Sequence, residues 1–161
     1  MTQEDFNPPI GIAQTLAPAL RRLVAPNPSP MTNRGTNTYL LGTNEIAVID
    51  PGPKSDAHLA AILAACSDKQ RITQIFVTHS HVDHSPLAEP LSRASGAKIY
   101  AYGPSDAGRS DAMRACLAAG MHGGGEGIDA DFAPDVHMTD SATYKAGDET
   151  LKTAPHYAPR R

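Results

Sequence analysis

Short apolar runs alternate with polar breaks marked by Pro, Gly or Asn, and the period of the runs changes along the chain. Residues 36–42 (TNTYLLG) and 45–52 (EIAVIDPG) are β-rich runs separated by Thr43-Asn44, a pattern that predicts a hairpin. The second run ends in Asp50-Pro51-Gly52. A buried strand that stops at an acid and a turn often delivers that acid to a site. Residues 55–66 (SDAHLAAILAAC) carry Leu59, Ile62, Leu63 and Cys66 at i, i+3, i+4 and i+7. That spacing predicts a helix with one apolar stripe, capped by Ser55, and with His58 on its polar side. Residues 71–79 (RITQIFVTH) read as a strand, 85–96 (SPLAEPLSRASG) as a short helix broken at Pro90, and 97–102 (AKIYAY) as another strand. Strand, helix, strand, helix, strand predicts an α/β layer with right-handed crossovers. With one helix between them, the strands at 45–52 and 71–79 should be parallel neighbours, with Asp50 close to the segment after Thr78.

The flanks are less regular. Residues 1–18 read as a loosely ordered segment, 19–25 (ALRRLVA) as the first strand, and the Pro-rich stretch after it as an extended loop. Beyond Tyr102 the pattern predicts a helix over 110–120, a Gly-rich loop over 121–135 and a late strand over 147–153. No internal repeat is visible, so residues 19–161 form one domain in this reading. The length of 161 residues suits one domain with a real core, and 40% hydrophobic content without Trp makes that core mostly Ala, Leu, Ile and Val.

Charge and cysteine content narrow the picture. A formal charge of −3 shows no basic stripe of the kind nucleic-acid binders carry, although a basic groove can sit on an acidic protein. Cys66 and Cys116 are too few for a disulfide framework and read as reduced, core-facing thiols. The N-terminus lacks a basic n-region, and the apolar runs fall short of the ~20 residues that span a bilayer. The expectation is a cytoplasmic protein with no membrane partner.

Chemistry concentrates in one place. Residues 78–85 (THSHVDHS) hold three of the seven histidines and an aspartate. Protonated imidazoles repel one another, so such crowding makes sense around a cation. On extended backbone leaving a strand, His79 and His81 point the same way and can share an ion, whereas a helix would separate them. Asp83 and His84 follow on a tight turn and can serve a second ion. Mixed imidazole and carboxylate donors suit Zn, Mn or Fe. The plainer alternative is a set of solvated loop histidines, or one that caps a helix. His122 and His137 carry no such context and read as ordinary loop residues.

H-x-H-x-D-H directly after an apolar strand resembles the signature of the metallo-β-lactamase superfamily. Residues 27–42 (NPSPMTNRGTNTYLLG), followed by VIDPG at 48–52, resemble the β-lactamase-like protein 2 branch, itself similar to glyoxalase II. The resemblance implies a four-layer αββα sandwich with a two-metal zinc site between its sheets. It implies that His79 and His81 hold the first metal, and that Asp83 and His84 hold the second. Asp83 would also be the catalytic acid/base, and Asp50 would orient the metal loop by accepting hydrogen bonds. The β-lactamase-like protein 2 resemblance favours phosphodiester cleavage in single-stranded RNA, with hydrolysis of a small-molecule thioester of the glyoxalase II kind as the runner-up.

The family pattern calls for an H-T-P-G-H-like segment after GDETLK, where TAPHYAPRR stands and His156 is one residue out of step. The expectation is therefore a short form, by frame slip or by nature, that supplies only the first sheet layer and its helices. Its inner sheet face would lack a partner and promote self-association. Metal binding and turnover would be weak, and the alternative to an enzyme is a non-catalytic metal-binding piece completed by a second chain.

Overall fold

The computed structural model describes residues 7–120 and 127–154 of the chain. A seven-stranded sheet runs in chain order from edge to edge. β1 (Gln14–Ala17), β2 (Leu20–Val24), β3 (Asn37–Leu41) and β4 (Glu45–Ile49) pair antiparallel. β5 (Arg71–Phe76), β6 (Lys98–Ala101) and β7 (Val136–His137) then add in parallel. Parallel neighbours need crossovers, and α1 (Asp56–Ala64) and α2 (Ala88–Ser95) supply those from β4 to β5 and from β5 to β6. α3 (Asp111–Ala118) precedes β7.

The two-residue period of a strand divides the apolar residues between two faces. Ile46, Val48, Ile75 and Ile99 pack with Leu23 and Leu40 against Ile62 of α1 and Leu91 of α2. Leu91 is fully buried there, so truncating it to Ala removes about 2–5 kcal/mol of stability. Ala47, Phe76 and Tyr100 face the other way. They meet Ala146, Tyr144 and Leu151 of a hairpin formed by β8 (Thr143–Ala146) and β9 (Glu149–Lys152).

The Asp148 carboxylate docks this hairpin onto the β3–β4 turn. It accepts from Asn44 N–H (2.5 Å), Thr43 Oγ1–H (2.7 Å), Thr43 N–H (3.0 Å) and Glu45 N–H (3.1 Å). These donors, led by the Asn44 amide and the Thr43 hydroxyl, hold its pKa well below the usual carboxylate range. Gly147 turns the hairpin with φ +63, and a Cβ there would lie 2.1 Å from the Glu45 carbonyl oxygen.

Several expectations change. The inner sheet face is not bare, because β8 and β9 begin a second sheet on it. Within the stretch expected to be loosely ordered, Gln14–Ala17 forms an edge strand with β2. Pro90 does not break α2, since it sits in the first turn, where its missing N–H has no intrahelical partner to lose. Cys116 is exposed on α3, whereas Cys66 packs against the core. His122 and His156 lie outside the described residues.

Candidate metal centre

β4 and β5 are parallel, so both chains leave the sheet at the same end. Asp50 follows β4 with φ +50, a left-handed conformation that Asp tolerates better than most residues. Its N–H donates to the Phe76 carbonyl (2.8 Å), which ties the turn to β5. Its carboxylate accepts from Thr78 N–H and Thr78 Oγ1–H, both at 2.8 Å. Oδ2 also lies 3.0 Å from His84 Nδ1, within ion-pair range although off the line of an aligned hydrogen bond. Asp50 thus grips both ends of the histidine loop, and Gly52 N–H adds a bond to the His84 carbonyl (2.9 Å).

The loop brings the predicted side chains together. The His79 ring lies 4.6 Å from that of His81 and 4.2 Å from that of His84, between centroids. Asp83 Oδ2 lies 3.2 Å from His84 Nε2 and accepts from Thr36 Oγ1–H at 3.2 Å. Thr78 commits its one hydroxyl proton to Asp50, so at 2.9 Å its oxygen accepts from His79 Nδ1–H. His79 Nε2 then keeps the lone pair that a metal takes. Residues 127–129 hold the outer side of the loop. Val82 N–H donates to the Gly127 carbonyl (2.6 Å), Asp129 N–H to the Ser80 carbonyl (2.8 Å) and Ser85 Oγ–H to Asp129 Oδ2 (2.8 Å).

The electrostatics separate the rings. Burial lowers the His79 pKa, the neighbouring His84 and His81 lower it further, and Asp50 and Asp83 only partly oppose them. Burial also lowers that of His84, but the close carboxylate of Asp50 and the charge of Asp83 outweigh it and raise the pKa. His79 therefore gives up its proton more readily than His84. The donor chemistry fits a divalent ion of the zinc type. The convergence is incomplete: among the described residues, no group of three or more His, Cys, Asp or Glu side chains is set to hold an ion.

Two clefts flank the loop. One of ≈ 280 Å³ is lined by Met31, Thr36, Tyr39 and the Asp50–Asp83–His84 cluster. The other, of ≈ 370 Å³, opens on the hairpin side of Thr78 and is lined mainly by Ile49, Phe76, Tyr102, Met138 and Leu151.

His58 is not on a polar face: it is 1% exposed, and its Nε2 lies 2.8 Å from Thr38 Oγ1. The available signal was its place four residues before Ile62, which puts both on one side of α1. Leu63, assigned to the stripe, is instead exposed, so the buried face is rotated towards His58. Thr36, Thr38 and Asp129 carried no spacing signal, because their partners are distant in sequence.

Comparison with known proteins identifies the family and the fold. The family model described as the metallo-beta-lactamase superfamily matches residues 31–161. A beta-lactamase-like protein 2 homolog of Caenorhabditis elegans is 38% identical over 74 residues, covering 44% of this chain and 25% of that protein. An atrochrysone carboxyl ACP thioesterase of Aspergillus fumigatus is 36% identical over 105 residues, covering 60% of this chain and 33% of the relative. A metal-dependent hydrolase of Thermofilum pendens is 36% identical over 98 residues, covering 50% and 42%. The crystal structure of a beta-lactamase domain protein from Burkholderia ambifaria superposes with a TM-score of 0.63 at 22% identity, over 92% of this chain and 48% of that one. The chain thus spans about half of that solved structure and less than half of these curated relatives. With the histidine loop at the end of a parallel strand and the matched model running through it, the chain belongs to the metallo-β-lactamase superfamily.

Proposed function

We propose that this chain carries the metal-binding loop of a metal-dependent hydrolase acting on acyl thioesters. One observation supports it most: Asp50 gathers His79, His81, Asp83 and His84 at the end of β5 with the lone pair of His79 Nε2 directed to a ligand role. In this reading His79 and His81 hold one divalent ion, and Asp83 and His84 hold a second. A bound divalent pair supplies an acidified water and polarises the carbonyl oxygen under attack. Asp83, held between Thr36 and His84, is placed to take and return a proton. Asp50 keeps the loop fixed while that proton moves.

The cleft beside Thr78 supports an acyl substrate. Its walls of Ile49, Phe76, Met138 and Leu151 would bury an apolar acyl group, and among the described residues they include no Lys or Arg of the kind that binds an RNA backbone. Metal-loaded protein set against a generic acyl thioester and a generic phosphodiester tests this. Thioester turnover that disappears on Asp83→Asn is expected, with the phosphodiester left uncleaved. Preferential cleavage of the phosphodiester would overturn the substrate reading. Metal binding with no turnover of either would overturn the catalytic reading in favour of a metal-binding piece.

A further inference from the structure

We infer that His58 is a positioning residue for the metal loop, acting through Thr38 on the Asp50 turn. The inference rests on the proposed metal centre for its purpose, but its geometry stands on its own. Thr38 Oγ1 lies 2.7 Å from the Asp50 carbonyl oxygen and 2.8 Å from His58 Nε2. A carbonyl oxygen only accepts, so the single hydroxyl proton of Thr38 goes to Asp50. Thr38 Oγ1 must then accept from His58, which fixes the ring as the Nε2–H tautomer. The result is a one-way chain: His58 Nε2–H to Thr38 Oγ1–H to the Asp50 carbonyl.

Asp50 is where such a chain has the most leverage. Its backbone is in the left-handed region, which for a non-glycine residue persists only when surrounding contacts hold it. Its side chain anchors Thr78 and faces His84. Fixing the carbonyl fixes the peptide plane, and with it the direction of the carboxylate.

The surrounding sequence is built to admit the imidazole. Gly52 has φ +99, and a Cβ there would lie 3.1 Å from His58 Cδ2 and 3.3 Å from Nε2. Ser55 caps α1 by accepting from His58 N–H (3.2 Å), which sets the helix start one turn from the ring. Thr38 and His58 are both buried, and His58 Nδ1 has no hydrogen-bond partner among the described residues. A ring kept only to fill space would be replaced by Leu without leaving that nitrogen orphaned. What Leu cannot replace is the Nε2–H.

The test pairs disruptive and conservative variants. His58→Leu and Thr38→Val remove the chain, whereas His58→Gln and Thr38→Ser keep a donor and a hydroxyl at the same places. Amide hydrogen exchange in metal-free protein is read at Thr78 and Gly52, with Ile75 in β5 as the reference. The disruptive pair should speed exchange at Thr78 and Gly52 about tenfold relative to Ile75. Zinc affinity should fall by about 10–100-fold, as for other partners that orient ligands from outside the metal shell. The conservative pair should restore both readouts. Uniformly faster exchange across the sheet, or identical behaviour of Leu and Gln at position 58, would overturn the inference and leave His58 as core packing. A wild-type chain that took up no zinc would contradict the metal centre alone, while the exchange pattern would still decide the coupling.

Discussion

A buried imidazole whose one N–H is committed to Thr38, and whose other nitrogen has no partner among the described residues, resists protonation. Burial takes the His58 pKa from 6.5 down to about 4. The unfolded chain therefore binds this proton first as the pH falls. The resulting stability is complete above 6.5, declines below it, and is lost as the pH reaches about 4, a loss of up to about 3 kcal/mol. His84 works in the opposite sense: its raised pKa favours the fold at low pH and that contribution fades as the pH rises through it. Urea unfolding of wild type and His58→Gln between pH 7 and pH 4 separates the two, because only the His58 slope should vanish in the variant. Equal slopes would mean that His58 accepts its proton in the folded state. A second prediction concerns Asp50. Asp50→Ala should weaken zinc binding by about 10–100-fold, read by competition with a chromophoric chelator. The metal loop was legible in the sequence because its residues lie within one short segment after an apolar run. His58 and Thr38 were not, since their contact joins a strand to a helix across 20 positions.

Among the elements, the β8–β9 hairpin decides whether the sheet has a second layer. Gly147→Ala would place a Cβ against the Glu45 carbonyl and force an unfavourable positive φ, costing at least about 1 kcal/mol by chemical denaturation. Asp148→Ala should release the β3–β4 turn, seen as faster amide exchange at Asn44 and Glu45 with β5 unchanged. If those amides kept their protection, the hairpin would be held by its apolar contacts and its remaining bonds to Glu45 and Gln74. The late strand was readable at 147–153, and the structure places β9 within it. Its partner β8 was missed, although TYKAGDETLK alternates polar and apolar residues around a Gly-Asp turn. What hid it is that only Tyr144, Ala146 and Leu151 bury themselves, too few apolar residues to stand out. The strands β4 to β6 were legible for the opposite reason, since a parallel sheet covered on both faces leaves apolar runs.

At the scale of the whole molecule, one sheet carries helices on one face and a two-stranded start of a second sheet on the other. The histidine loop sits at the rim between those layers, where β4 and β5 end together. The superfamily match and the structural likeness settle the architecture, and the chain covers about half of the solved Burkholderia relative. The central claim is that this rim is a metal centre built on His79 and His81. Calorimetric titration of zinc into the purified chain, beside a His79→Ala/His81→Ala double variant of matching circular dichroism, tests it most directly. The account predicts saturable zinc binding by the wild-type chain and at least about a tenfold loss of affinity in the variant. Equal zinc affinity in the two, or no uptake by the folded wild-type chain, would contradict it.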